Sequence, residues 1–416
     1  MQKERLVIKN FGPIKSIDLE LGKMTILIGE QATGKSTIAK VLAVCRYFSY
    51  IANNEFVVSN PTSNSFIQGL ESWGIDGFIQ IDSYIQYICF DYELEVKNKT
   101  ENVPISDNDD HTLNYADIEL FSPVLIPKSD NFRALLSNLE STILDIKAKE
   151  SDNNSLGHFF LKMPSDFYQN QVSKVMNNPF YIPTERGLQS IFSLGKSSIQ
   201  NISDSLFNQF AKMDMFVRSF KKETEIKPLN ILYKNVNGQG FIKNERQIEF
   251  SSLYNGASGY QSTIPVVLAI KFYTENRQKN KTFIVEEPEL NLFPKAQKKL
   301  MEFFVESINN NGHSFLLPTH SPYILSTLGN LIYAHKIGNL DNRKFSVEVN
   351  KNIPEKYWID ISDLSVYYLD NGHAKNLINI EECLINLDDL DSVSEIVNKE
   401  FDKLLNLEVQ FENIDL

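Results

Sequence analysis

The stretch that most limits how this 416-residue chain can fold is MTILIGEQATGKSTIAKVLAVC, residues 24 to 45. Met24 to Ile28 form a continuous apolar run, the wording of a strand buried on both faces of a sheet. Gly29 to Ser36 fit the pattern G-x-x-x-x-G-K-[ST], and Ile38, Val41, Leu42, Cys45 and Phe48 then recur with helical period. Strand, glycine-rich turn and amphipathic helix in immediate succession let backbone N–H groups and a helix N-terminus wrap a phosphate chain. In that setting Lys35 reaches the β- and γ-phosphates of a nucleotide and the Ser36 hydroxyl ligates Mg²⁺. Gly29, Gln31, Ala32, Thr33, Gly34, Lys35, Ser36 and Thr37 are therefore the candidate phosphate-binding residues. An α/β fold built on a buried sheet is expected.

A second run, TFIVEEPELNLFPKAQ at 282–297, places Glu286 and Glu287 directly after a core strand. Adjacent carboxylates repel, and the end of a buried strand is a poor place for them unless a cation offsets the repulsion. Downstream of a phosphate loop, a strand ending in two acids is the Walker B pattern. Glu286 would hold the Mg²⁺ hydration shell, and Glu287 would be the general base that polarises the attacking water. Without the ligand, the pKa of at least one of the two should rise.

Two shorter signals complete the set. Ser258-Gly259-Tyr260-Gln261, ahead of the apolar helix-like VVLAIKFY, aligns with the ABC signature, so Ser258, Gly259 and Gln261 are candidates for capping a nucleotide. Pro265 in that helix is tolerable near its start and disruptive further in. In LLPTHSPYIL a strand ends at Thr319, and His320 takes the position of a switch histidine that contacts the γ-phosphate and the attacking water.

Bulk composition narrows the class. A net charge of −12 excludes a uniformly polyanion-binding surface. Cys45, Cys89 and Cys383 are far apart and odd in number, which fits a reducing cytosol rather than a disulfide framework. Neither a signal-peptide core nor a membrane-length apolar run is present, so a soluble, cytoplasmic protein with no membrane partner is expected. Three strands open the chain within residues 5–28, and a β-hairpin is expected over ILYKNVNGQGFIKN. Between them lie two amphipathic patterns, Phe132, Leu135, Leu136, Leu139 and Ile143, then Leu206, Phe210, Met213, Val217 and Phe220. An acidic cluster (Glu101, Asp107, Asp109, Asp110, Asp117, Glu119) accompanies them without a Lys or Arg between 101 and 120. A last helix is expected from the capping pattern at Ser392 to Glu395. The organisation expected is a head made of 1–50 and 231–416, interrupted by a mixed insertion, 51–230.

The order phosphate loop, signature, Walker B, switch histidine resembles the ABC-type ATPase heads of the RecF, SMC and OLD (overcoming-lysogenization-defect) group. IVEEPELNLFPKAQ and THSPYIL are similar to the OLD-like branch, and FYIPTERG (180–187) resembles a strand-plus-Arg segment common there. Gln31, Asn291 and Phe293 depart from the usual residues. The resemblance implies a P-loop head with a mixed sheet and helices on both faces, using ATP and Mg²⁺. It also implies a homodimer or higher homo-oligomer formed through the heads, ATP on Lys35 of one protomer being capped by Ser258 and Gly259 of the other. The 96 residues from 321 to 416 are short for a fused Toprim nuclease, and Asp389-Leu390-Asp391 reads as solvated acids beside a helix start. Stand-alone ATPases of this size resemble the ATPase subunits of two-component anti-phage systems of the PARIS or Septu type. Such subunits imply a nuclease or toxin effector in trans and a phage-encoded trigger. A RecF/SMC-type repair ATPase that binds DNA is the alternative. A transporter subunit is disfavoured by the long separation of Lys35 from Ser258.

Overall fold

The structure is a computed structural model, and it describes residues 4–55, 63–90, 92–105, 114–128, 179–188 and 204–387. The expected helices around Phe132–Ile143 and after Ser392, and Asp389-Leu390-Asp391, lie outside the described residues. Three strands open the chain as expected: β1 (Glu4–Phe11), β2 (Ile14–Leu21) and β3 (Met24–Gly29). The helix α1 (Lys35–Glu55) follows directly on the glycine-rich turn.

Next come α2 (Ser63–Ser72), β4 (Ile79–Ile88), β5 (Tyr92–Ile105), β6 (Asn114–Pro127), β7 (Phe180–Ile182) and α3 (Asp204–Ser219). A small sheet contains β8 (Thr224–Ile226), the hairpin β9 (Ile231–Val236) and β10 (Gln239–Asn244), and β11 (Ser251–Ser252). The chain then alternates: α4 (Ser258–Glu275), β12 (Thr282–Val285), α5 (Pro294–Asn311), β13 (Ser314–Thr319) and α6 (Pro322–Gly338). Beyond a short helix α7 (Ser346–Asn352) lie β14 (Leu364–Asp370) and β15 (His373–Asn376).

One 11-stranded sheet dominates the described residues, in the order β6-β5-β4-β1-β2-β15-β14-β3-β13-β12-β7. From β14 to β7 every pairing is parallel, whereas β2, β1, β4, β5 and β6 are joined antiparallel. Strand β4 thus neighbours β1, with β5 and β6 beyond it, and β7 neighbours β12, all within the main sheet. Successive side chains of a strand face opposite ways. Met24, Ile26 and Ile28 of β3 accordingly enter one core with α4, α5 and α6, while Leu27 enters a second core with Ile38, Val41, Leu42 and Cys45 of α1. Both faces of the parallel half are covered by helices, as a parallel sheet requires.

Helix α4 runs unbroken through Pro265. A proline inside a helix costs about 3 kcal/mol. Residues 262 to 270 are all buried, and Val266, Val267, Leu268 and Ile270 join the core under β12. Tertiary packing outweighs the local preference. Among the described residues, no helix is long and apolar enough to cross a membrane.

Candidate nucleotide site

Because β3, β13 and β12 run parallel and adjacent, their C-terminal ends open on the same edge of the sheet. Each of those ends carries one of the motifs: the phosphate loop after β3, Thr319-His320 after β13, and Glu286-Glu287 after β12. This is the crevice where open α/β sheets place their ligands.

The phosphate loop is tightly curled. Ala32 (φ 62°) and Gly34 (φ 96°) are left-handed, and a Cβ on Gly34 would lie 3.1 Å from Ile14 Cγ1 and 3.3 Å from Pro13 Cγ. Lys35 folds back into the loop, its Nζ donating to Gly29 O at 2.9 Å, Glu30 O at 2.5 Å and Thr33 Oγ1 at 3.3 Å. Carbonyl oxygens thus hold the ammonium where phosphate oxygens would compete for it. The side chain is buried, and burial pulls the Lys35 pKa down to about 8 against the upward pull of Glu287 and Glu289. Thr37 is buried, while Gln31, Ala32 and Ser36 are exposed and Thr33 is half-buried, its hydroxyl bonded to Glu30 O at 2.8 Å.

Glu286 is buried, and its Oε1 has no hydrogen-bond partner among the described residues. The Tyr181 hydroxyl is pushed well above its ordinary range by burial and by the nearby Glu286 carboxylate. A buried, unmatched carboxylate oxygen needs a cation or water to be tolerable. Beside it, Glu287 takes a left-handed backbone (φ 41°), and its Oε1 lies 3.7 Å from His320 Nε2. Both of these side chains are about a third exposed. Burial raises the Glu287 carboxyl; His320 opposes that shift and Glu289 adds to it. Glu289 is the third acid of the run. Its Oε1 accepts from Thr319 Oγ1 at 2.8 Å and from His320 N at 2.7 Å, which fixes the peptide that carries the histidine.

Ser258 is exposed at the first position of α4, and Gly259 is buried where a Cβ would come within 2.6 Å of Asn291 O. Gln261 turns back on the preceding loop, Nε2 donating to Tyr254 O and Gly256 O, each at 3.0 Å. The structure therefore gathers Lys35, Glu286, Glu287 and His320 at one sheet edge and presents Ser258 to the surface, with no hydrogen bond from Ser258 to the phosphate loop among the described residues.

A family profile described as an AAA ATPase domain matches residues 1–325, more than half of the chain. The chain belongs to the AAA ATPase domain family. Its sequence is also similar to an ABC transporter ATP-binding protein of Caldanaerobacter subterraneus subsp. tengcongensis, at 28% identity over 107 residues. That match spans 24% of this chain and only 18% of the relative's own length. Among solved structures, the chain is similar to an SMC head bound to the C-terminal winged-helix domain of ScpA (10% identity, 92% of this chain and 100% of that one, TM-score 0.39). It is also similar to an SMC head domain from Thermotoga maritima (12% identity, 91% and 99% covered, TM-score 0.34).

For an AAA ATPase domain the donor set is chemically apt. A hydroxyl (Ser36) and a carboxylate (Glu286) supply the oxygen ligands Mg²⁺ prefers, and this ion ordinarily takes its other ligands from phosphates and water rather than from a protein cage. Among the described residues no cluster of three or more His, Cys, Asp or Glu forms a metal cage. Two residues at this sheet edge have no role in the sequence reading. Glu289 was visible as the third acid of EEPE, three residues from Glu286, and that spacing was its only mark. Arg186 was visible in FYIPTERG, but its partners are main-chain carbonyls, which leave no trace in a sequence.

Proposed function

We propose that this chain binds and hydrolyses ATP as an ABC/OLD-like ATPase, and that two heads pair around nucleotide to form a switch. The observation that carries the reading is the convergence of the Lys35 cradle with the Glu287–His320 pair at one sheet edge. Lys35 would exchange its loop carbonyls for β- and γ-phosphate oxygens, and the free N–H groups at the start of α1 would take others. Ser36 and Glu286 would hold a Mg²⁺ ion, which neutralises charge developing on the phosphates. Glu287 would accept the proton of the attacking water, and its raised pKa brings it closer to the pKa that suits a base at neutral pH. His320, 3.7 Å away, would steady the carboxylate and the water between them.

Pairing is supported by the surface beside Ser258. Tyr254 (52% exposed) and Phe293 (79% exposed) are large apolar side chains flanking the signature and the loop after Glu287. Buried in a second head, such residues would contribute as interface anchors. The finer reading is that the switch is the sensor or regulatory subunit of an anti-phage system controlling a nuclease or toxin in trans. It rests on the wording of IVEEPELNLFPKAQ and THSPYIL.

The test compares phosphate release and light scattering for wild type and Glu287→Gln. The variant should lose hydrolysis by about 100-fold or more while still binding ATP, and should accumulate as an ATP-dependent dimer. Undiminished hydrolysis would overturn the assignment of Glu287. For the finer reading, the tagged variant is purified with ATP after co-expression with its genomic neighbours. A nuclease retained only with nucleotide supports it; a lone ATPase stimulated by DNA ends favours the repair alternative.

A further inference from the structure

Arg186 has no solvent exposure and heads the fully buried side chains by volume. A guanidinium carries five N–H donors and keeps its charge, so burying one requires acceptors on every side. Here the acceptors are main-chain carbonyls. Nε donates to Ser262 O at 2.9 Å, Nη1 to Pro183 O at 3.0 Å and Glu286 O at 2.6 Å, and Nη2 to Glu287 O at 2.6 Å. These oxygens belong to three separate segments: the turn after β7, the two consecutive acids after β12, and the second turn of α4. Burial lowers the Arg186 pKa to about 10, opposed by the carboxylates of Glu289, Glu286, Glu287 and Glu185.

We propose that Arg186 is a positioning residue for ATP hydrolysis, tying the peptides of Glu286 and Glu287 to the signature helix so that the helix's position sets the aim of the Glu287 carboxylate. The proposal rests on the reading of Glu287 as general base. At φ 41°, Glu287 holds a conformation that a glutamate keeps only when its surroundings over-determine it. Those surroundings are visible: its N–H donates to Pro318 O at 2.8 Å, and its carbonyl accepts from Leu290 N at 2.9 Å and from Arg186. Turning this peptide would swing the Cα–Cβ bond and carry the carboxylate away from His320.

Two further ties bind the same loop to α4. Ser262 Oγ donates to Leu290 O at 2.8 Å, and Gly259 packs so closely on Asn291 O that a Cβ would come within 2.6 Å. Residues 286–292 and the first turns of α4 are thereby one mechanical unit. The exposed first residue of α4, Ser258, faces whatever meets this surface. In a paired arrangement that would be the partner's nucleotide, while Glu287 serves the protomer's own. Engagement at one site thus reaches the base of the other through Arg186.

The test uses the full-length chain and three variants. Arg186→Lys keeps the charge and loses the planar fork. Affinity for a fluorescent ATP analogue should stay within about 3-fold of wild type, while kcat falls about 100-fold with KM nearly unchanged, as a small misplacement of a catalytic group produces. Glu287→Gln is assayed alongside: if it still hydrolyses ATP, the reading of Glu287 fails whatever Arg186 does. If Glu287→Gln is inactive while Arg186→Lys turns over like wild type, only the positioning role of Arg186 is overturned. Should Arg186→Lys fail to fold, Ser262→Ala decides: removing its hydroxyl tie should lower kcat about 10-fold at unchanged analogue affinity. An unchanged kcat in that variant overturns the coupling.

Discussion

ATP binding should take up a proton above pH 8, and Lys35 should be its source. Its Nζ is enclosed by Gly29 O, Glu30 O and Thr33 Oγ1, and burial brings its pKa from 10.5 to about 8 in the nucleotide-free protein. Phosphates placed against the ammonium favour its charged form and return the pKa to its ordinary value or above. At pH 8.5 about a quarter of the free protein then carries the proton and nearly all of the complex does, an uptake of about 0.75 proton per site. At pH 7 the same arithmetic leaves about 0.1. Affinity must follow, weakening about 16-fold between pH 8 and pH 9.5.

The measurement is titration calorimetry of ATP into the wild-type chain without Mg²⁺, the ion that hydrolysis would need, in buffers of different ionisation enthalpy. The slope of apparent enthalpy against buffer enthalpy is the proton number. ATP is itself fully deprotonated at pH 8.5, so it contributes little. A zero slope at pH 8.5 together with a flat affinity would refute the enclosed, depressed lysine. Lys35→Met should abolish the uptake along with most of the affinity. The same shift has a stability consequence of defined sign. Unfolded, the lysine titrates near 10.5; folded and free, near 8. Between those values the unfolded chain binds more protons, so this group's contribution to stability rises with pH across that window and is flat below it.

Two substitutions test the packing that holds the site. Gly34→Ala puts a side chain at φ 96° and against Ile14 and Pro13, which should cost about 1–3 kcal/mol and weaken fluorescent-nucleotide binding at least about 10-fold. Unaltered affinity would mean that the loop's curl is not needed for binding. Gly338→Ala, at the far end of α6, drives a Cβ to 2.3 Å from the Trp358 ring, which is buried and bonded through Nε1 to Ile353 O at 2.8 Å. Denaturant unfolding should show a loss of about 1–3 kcal/mol, with nucleotide affinity unchanged because His320 lies before the opposite, N-terminal end of the helix.

What could be read from the sequence has a common physical cause. The glycine-rich loop, the paired acids and His320 are each written contiguously at the end of an apolar strand, so that each sits at a fixed step from a buried backbone. The strands' neighbours are not written anywhere. Nothing in MTILI, TFIVEE or SFLLPT says that β13 lies between β3 and β12, yet that order brings Lys35, His320 and Glu287 to one edge. Pairing of β4 with β1 is equally non-local: Ile85 meets Ile8 and Tyr87 meets Leu6 across more than 70 positions of chain, and no local pattern records it. Arg186 was hidden for a different reason. An arginine that serves carbonyls can sit opposite any residue, because every residue carries one. Its partners at 262, 286 and 287 are chosen by where three backbones converge. Side-chain identity records what must react, and the fold alone records what must be held still. That is why the acids were legible and the brace that aims them was not.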